Sequence, residues 1–228
     1  MTTTAIIVAA GSGSRFKSDT PKQFLEINGK SVLAHTIERF ESAPSVERIV
    51  LVLAPDLAAS FDDSAFSKVY FVVPGGATRA RSVCNGLATV RTDIVTVHDG
   101  ARPLVSVDEI ERTIAKARET GAACLVAPVT DTIKSVRSGE IADTLDRDKL
   151  RRALTPQAFR TELLKKAFED KDLNIDVNEL ITDECYLVEK LGHPIAIVEG
   201  SSRNIKITHP EDLILAEALL NSELETRN

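Results

Sequence analysis

The sequence predicts an α/β fold, a mostly parallel twisted sheet flanked by helices, and three observations carry that prediction. Short apolar, β-branched runs recur at Ala5 to Ala10, Ile49 to Leu53, Val69 to Val73, Ile94 to His98 and Ala122 to Val129, as strands buried on both faces should read. Segments of helical spacing lie between them, and such alternation implies parallel strands joined by right-handed crossovers. The third observation is size: 228 residues, 43% hydrophobic and 27% charged, suit one large domain spanning 1–228 and are short for two.

The first strand ends abruptly in Gly11-Ser12-Gly13-Ser14, with Arg15 and Lys22 close behind. Glycines leave backbone N–H groups uncovered, so consecutive amides can converge on one anion. Arg15 adds a forked donor and Lys22 a point charge that together suit a phosphate group. Read alone, the stretch is equally an ordinary turn. It is not a dinucleotide fingerprint, because Phe16 stands where the third glycine belongs, and Gly29-Lys30-Ser31 is not a P-loop, because Phe24 stands five residues before Gly29. Nor does Gly11 to Ser14 carry the Gly-x-Ser-x-Gly order of a hydrolase elbow.

Asn28-Gly29 forms a tight turn, Ser31 caps a helix, and Val32, Leu33, Ile37 and Phe40 recur at its spacing. A weaker helical stretch runs from about Leu57 to Phe66. Pro74-Gly75-Gly76 ends the third strand, and Arg79, Arg81 and Ser82 open a helix carrying Val83, Leu87 and Val90. Cations are unfavourable at a helix N-terminus, so this pair points to an anion nearby. The strand Ile94 to His98 runs into Asp99-Gly100-Ala101-Arg102-Pro103. A carboxylate there suits a metal or a substrate hydroxyl, while Asp-Gly alone also makes a plain turn. His98 reads as structural.

Ser106 to Glu109 fits a capping box, and Ile110, Ile114 and Ala117 continue its helix to Gly121. Thr132 to Val136 then alternates, Ser138-Gly139 turns, and Ile141 to Leu145 follows, which predicts a β-hairpin. An isolated two-stranded ribbon is marginal in water, so it needs a partner surface. After Leu154-Thr155-Pro156-Gln157, helices are expected from Thr161 to Glu169 and from Thr182 to Leu191, the second closed by Gly192. A strand is expected from Ile195 to Glu199. Asn204 to Thr208 alternates with Lys206 inside it, and Thr208-His209-Pro210-Glu211 starts a last helix.

The net charge of -6 argues against a nucleic-acid surface, so any phosphate site is local. Cys84, Cys124 and Cys185 are widely spaced, forming no Cys-x-x-Cys pair, and free thiols in a reducing cytoplasm are expected. The N-terminus lacks a positive, long apolar leader and no span is long enough to cross a bilayer, so a cytoplasmic protein with no membrane partner is expected.

Ala9-Ala10-Gly11-x-Gly13-x-Arg15 followed by Pro21-Lys22-Gln23 resembles the nucleotidyltransferases that join a nucleoside triphosphate to a sugar or polyol phosphate. Within them the chain most resembles the 2-C-methyl-D-erythritol 4-phosphate cytidylyltransferase family of the non-mevalonate isoprenoid pathway. The His98-Asp99-x-Ala101-Arg102-Pro103, Thr155-Pro156-Gln157 and Asn204-Ile205-Lys206-x-Thr208-x-Pro210-Glu211-Asp212-Leu213 strings follow in the family's order, so the resemblance covers Ala5 to about Leu219. It implies a Rossmann-like fold with a protruding β-arm at 130–150, CTP and methylerythritol phosphate as substrates, and Mg²⁺ held mainly by CTP. It implies Arg15, Lys22 and Lys206 as catalytic cations, and Ala9, Ala10, Gly11, Ser12, Gly13, Ser14, Gly75, Gly76 and Ser82 around CTP. Asp99, Arg102, Thr132, Arg147, Thr155 and Thr182 would bind the acceptor, with Asp131, Thr132 and Arg147 delivered to a neighbouring subunit by the arm of a homodimer. Ala77 stands where several relatives carry an acidic residue. Two other readings stay open on the same residues: a cytidylyltransferase acting on ribitol 5-phosphate, and a CTP-binding sensor without chemistry.

Overall fold

The computed structural model describes residues 1–11, 16, 21–170 and 181–225, with side chains to 222. In chain order the elements are β1 (Thr3–Ala9), β2 (Glu26–Ile27), β3 (Lys30–Ser31), α1 (Val32–Glu41), β4 (Arg48–Leu53), α2 (Pro55–Ala58), β5 (Val69–Pro74), α3 (Arg79–Thr89), β6 (Ile94–Asp99), α4 (Val107–Thr120) and β7 (Ala122–Pro128). Then come β8 (Ile133–Arg137), β9 (Glu140–Leu145), β10 (Arg151–Arg160), α5 (Thr161–Phe168), α6 (Glu184–Lys190), β11 (Ala196–Glu199) and α7 (Pro210–Glu225).

Among the described residues, seven strands form one sheet in the order β11-β7-β10-β6-β1-β4-β5. Every neighbouring pair is parallel except those of β10, which runs antiparallel between β6 and β7. Adjacent residues of β1 point to opposite faces: Ile6 packs with Val52, Val83 and Leu87 on the α3, α5 and α6 side, and Ile7 with Ile37, Phe40 and Ile114 on the α1 and α4 side. Both faces of the central strands are thereby covered, which is why they read as unbroken apolar runs.

Local signals hold where a side chain or a turn determines the backbone. Ser31 Oγ accepts the Ala34 N–H, and Ser106 and Glu109 make the full capping box of α4. Ser138 and Gly139 turn the β8–β9 hairpin with φ of 54° and 87°, both in the region a tight hairpin turn needs.

Other expectations are corrected. β10 has no counterpart in the sequence reading, because Arg151, Arg152 and Pro156 hide its period. Pro156 is accommodated where the register with β7 shifts between Ala153 and Gln157, so no ladder bond is lost to it. β5 is an edge strand with Tyr70 and Phe71 exposed, not a strand buried on both faces. Leu57 to Phe66 yields only the turn of α2, since farther on the Asp62 carboxylate accepts the Ser64 N–H at 3.0 Å and turns the chain. α6 starts at Glu184 with Asp183 as cap, two residues beyond Thr182. Asn204 to Thr208 joins no ladder and is held by the Ile207 N–H on Ala101 O at 2.9 Å. At the start of α7, Asp212 rather than Glu211 accepts the Thr208 and His209 N–H groups.

Candidate active site

The sheet's order reverses at β1: the crossovers run outward to β4 and β5, and the chain then returns to β6 on the other side. The carboxyl ends of the strands on either side of such a reversal leave a crevice. A cleft of about 450 Å³ lies there, walled by Ala9 at the end of β1 and Ala10 and Gly11 after it, by Gly76 and Arg79 after β5, and by Asp99 at the end of β6. Lys22 and Lys206 also line it.

Two glycines, a serine and a glutamine shape these walls. A Cβ on Gly75 would collide with the Ala10 Cβ, so only glycine lets the end of β5 lie against the loop after β1. Ser82 holds the next turn: its hydroxyl accepts the Gly76 N–H at 3.0 Å and donates to Thr78 O at 2.9 Å. Buried Gln23 donates to Ala9 O at 2.8 Å and Gly11 O at 3.4 Å, fixing where β1 releases the chain. Lys22 donates to Ile207 O at 2.6 Å, which ties the first loop to the segment carrying Lys206.

Asp99 is the hub. It is only 6% exposed, and its Oδ1 accepts from Arg79 Nε at 3.2 Å while Oδ2 accepts from Arg102 Nε at 3.2 Å and Lys206 Nζ at 2.9 Å. Burial by itself would raise this carboxyl, yet Arg79, Lys206 and Arg102 hold it well below the ordinary carboxylate range. Its charge is therefore permanent at neutral pH. The Asp99 N–H donates to Thr155 Oγ1 at 3.1 Å, and that hydroxyl meets His98 Nδ1 at 3.0 Å. His98 Nε2 lies 3.1 Å from Arg102 O, which can only accept, so the imidazole is neutral with its proton on Nε2 and takes the Thr155 proton on Nδ1. Burial pushes this histidine down to about 3, in keeping with the structural role read for it.

Arg79 meets its anions within the protein. Besides Asp99 it grips Glu184 of α6 in a forked pair, at 2.6 Å and 3.1 Å. The cations at the start of α3 predicted an anion, and for Arg79 the fold supplies two. Glu184 is fully buried, and burial raises its carboxyl against the opposing pull of Arg79.

Among the described residues, the other expected acceptor residues are not on the walls of this cleft. Thr155 is buried beneath Asp99, with its hydroxyl committed to Asp99 and His98. Arg102 divides its guanidinium between Asp99 and Asn204 O, the latter at 2.9 Å. Thr182 is exposed ahead of α6. Thr132 is exposed at the root of the β8–β9 arm, and exposed Arg147 donates back to Thr130 O at 2.9 Å. Ser12, Gly13, Ser14 and Arg15 lie outside the described residues. Sequence reasoning gave no role to Gln23, Gln157 or Glu184; the only signal was their place in Pro21-Lys22-Gln23, Thr155-Pro156-Gln157 and Thr182-Asp183-Glu184.

Among the described residues no group of three or more His, Cys, Asp and Glu is placed to hold a metal, and both Asp99 oxygens are engaged by cations. Cys84, Cys124 and Cys185 are free thiols. Among the described residues no helix is long and apolar enough to cross a membrane.

A family model described as 2-C-methyl-D-erythritol 4-phosphate cytidylyltransferase matches residues 3–222. Relatives carrying that name include one from Desulforamulus reducens, 43% identical over 95% of this chain and 94% of its own, and one from Bacillus licheniformis, 41% identical over 96% and 95%. Among solved structures, the 4-diphosphocytidyl-2C-methyl-D-erythritol synthase of Anaerococcus prevotii superposes with a TM-score of 0.84 at 30% identity, covering 96% of each chain. The Thermus thermophilus 2-C-methyl-D-erythritol 4-phosphate cytidylyltransferase gives 0.79 at 34% identity, over 96% and 98%.

Proposed function

The chain belongs to the 2-C-methyl-D-erythritol 4-phosphate cytidylyltransferase family, and from that premise we propose how its residues divide the work of the reaction. The enzyme transfers CMP from CTP to 2-C-methyl-D-erythritol 4-phosphate, giving 4-diphosphocytidyl-2-C-methyl-D-erythritol and pyrophosphate for isoprenoid precursors. The relatives' names favour this acceptor over ribitol 5-phosphate, and an active enzyme over a silent sensor.

The observation that carries the site assignment is a local gathering of positive charge. In a chain of net charge -6, Lys22, Arg79, Arg102 and Lys206 gather, among the described residues, at the carboxyl ends of the central strands around the buried carboxylates of Asp99 and Glu184. Two phosphate-bearing anions must meet there, and fixed cations in a partly dry cleft lower the cost of their approach. An oxygen of the acceptor's phosphate attacks the α-phosphorus of CTP, the new P–O bond forms, and the bond to the bridging oxygen of pyrophosphate breaks. The attacking oxygen is already ionised, so no general base is required.

Lys22 and Arg15 are assigned to the triphosphate and to the charge that builds in the transition state, with the backbone of Ala9 to Ser14 cradling the phosphates. Gly75, Gly76 and Ser82 are assigned to the cytosine and ribose, and Ala77 in the cleft wall offers the base no side-chain polar group. Lys206, Arg102, Asp99 and Thr182 are assigned to the acceptor, and Thr155 acts from beneath by holding Asp99. A magnesium ion would be held mainly by CTP's own oxygens, with few protein ligands, and would supply charge neutralisation at the phosphates. The arm at 130–150, whose Val136 and Ile141 are 67% and 68% exposed, is assigned to a homodimer, with Thr132 and Arg147 completing the neighbour's site. A cytoplasmic location suits the three free thiols.

The test is pyrophosphate release from CTP and Mg²⁺ with methylerythritol 4-phosphate, ribitol 5-phosphate or no acceptor. Release with the first alone is expected. Release with ribitol 5-phosphate alone, or in none of the three, overturns the reading.

A further inference from the structure

We infer that Glu184 is a positioning residue for the acceptor side of the reaction, acting through Arg79 to set the Asp99 carboxylate against Lys206 and Arg102. The inference rests on the assignment of Asp99, Arg102 and Lys206 to the acceptor.

The geometry forms a chain of fixed groups. Gln157 of β10, 1% exposed, pins the start of α6: its carbonyl oxygen accepts the N–H groups of Glu184 and Cys185 at 3.2 Å and 3.1 Å, and its amide donates to Asp183 at 2.9 Å. With the backbone at Glu184 so fixed, its fully buried carboxylate takes two N–H bonds from one edge of the Arg79 guanidinium. A planar guanidinium held at one edge has no rotation left. Its Nε is then aimed at Asp99 Oδ1, and with Oδ1 committed, Oδ2 is the oxygen left to receive Arg102 and Lys206.

Stability alone does not account for this pair. A buried ion pair is a weak source of folding free energy, because desolvating two charges offsets most of their attraction. Glu184 also sets the charge of the cleft. Without it, the Asp99 carboxylate would face Arg79, Arg102 and Lys206, and Arg79 would lose the grip that aims its Nε at Asp99. The roles then separate along the cleft: the acceptor side depends on Glu184, while the loop after β1 has its own support in Gln23, which holds Ala9 and Gly11.

The experiment is steady-state kinetics of wild type, E184Q, R79K and the double variant, varying each substrate in turn, alongside CTP affinity by titration and thermal unfolding. E184Q keeps the shape of the side chain but loses its charge, and R79K keeps its charge but cannot span Glu184 and Asp99 together. Each is expected to lower kcat/KM for methylerythritol 4-phosphate by about tenfold or more, to leave CTP affinity within about twofold, and to combine without further loss. Equal losses for both substrates, additive losses, or an E184Q enzyme with unchanged kcat/KM would overturn the inference. Should E184Q not fold, R79K alone decides by the same split between substrates. Wild type silent with this acceptor overturns the parent reading as well, whereas an active wild type with an indifferent E184Q overturns this inference only.

Discussion

The cleft and the arm invert the usual arrangement of a soluble protein in opposite ways. The cleft buries charge, with Asp99 and Glu184 withdrawn from water under Arg79, Arg102 and Lys206. The arm exposes hydrocarbon, since β8 and β9 pair only with each other and leave Val136, Ile141 and Leu145 in solvent. The difference lies in where each finds its partner. Each buried carboxylate is answered by a cation of the same chain, so the cleft is organised before substrate arrives. Among the described residues the arm has no such answer, and a two-stranded ribbon is marginal unless something covers it. One region is thus answered from within the chain, and the other fits the homodimer proposed for the arm.

The sharpest way to break this contrast is to remove a cation that the cleft holds in place. Lys206→Ala should lower turnover on the order of 10²-fold or more, as loss of one fixed transition-state donor does, with the fold retained by circular dichroism; turnover within a few-fold of wild type would mean the cation is dispensable. The arm is tested by Val136→Asp with Ile141→Asp. Sedimentation should show a shift from dimer to monomer with activity falling alongside, while the isolated chain keeps its far-ultraviolet spectrum. A wild type that is already monomeric would remove the contrast altogether.

A smaller effect sharpens the account of the buried relay. His98 is neutral when folded, and the unfolded chain takes up a proton below 6.5 that the folded chain refuses down to about 3. Its contribution to stability is full above pH 6.5 and is lost as the pH falls through that window, at up to about 1.4 kcal/mol per pH unit. Asp99 adds its own loss only as the pH falls through 3.8 and below, where the unfolded carboxyl protonates and the folded one does not. Thermal unfolding of His98→Asn between pH 7 and 4 should therefore follow a shallower acid slope than wild type. Parallel slopes would contradict the neutral assignment. Ser106→Ala is the smallest of the set, about 1 kcal/mol of stability from a lost helix cap with activity unchanged.

What was legible in the sequence follows from the range of the interactions. The caps at Ser31 and Ser106, the Ser138-Gly139 turn and the strand runs are set by neighbours a few residues apart, and each was found where expected. β10 was not legible: Pro156 and the register shift beside it break the period, and its neighbours β6 and β7 are chosen by the sheet, not by its own residues. The cleft was half legible. Lys22, Asp99 and Lys206 stand in short strings that announce them. Nothing local announces that Arg79 will meet Glu184 across 105 positions, or that Gln157 will hold the turn that brings it there. Thr155 was expected at the acceptor because its string was legible, while its burial under Asp99 depends on a strand that was not.

The most direct test of the central claim, that fixed cations at the β1 and β6 edge carry cytidylyl transfer, compares pyrophosphate release by wild type and Lys22→Ala at saturating CTP and methylerythritol 4-phosphate. The account predicts acceptor-dependent release by wild type and a loss on the order of 10²-fold in the variant. Nearly full turnover by Lys22→Ala would contradict it.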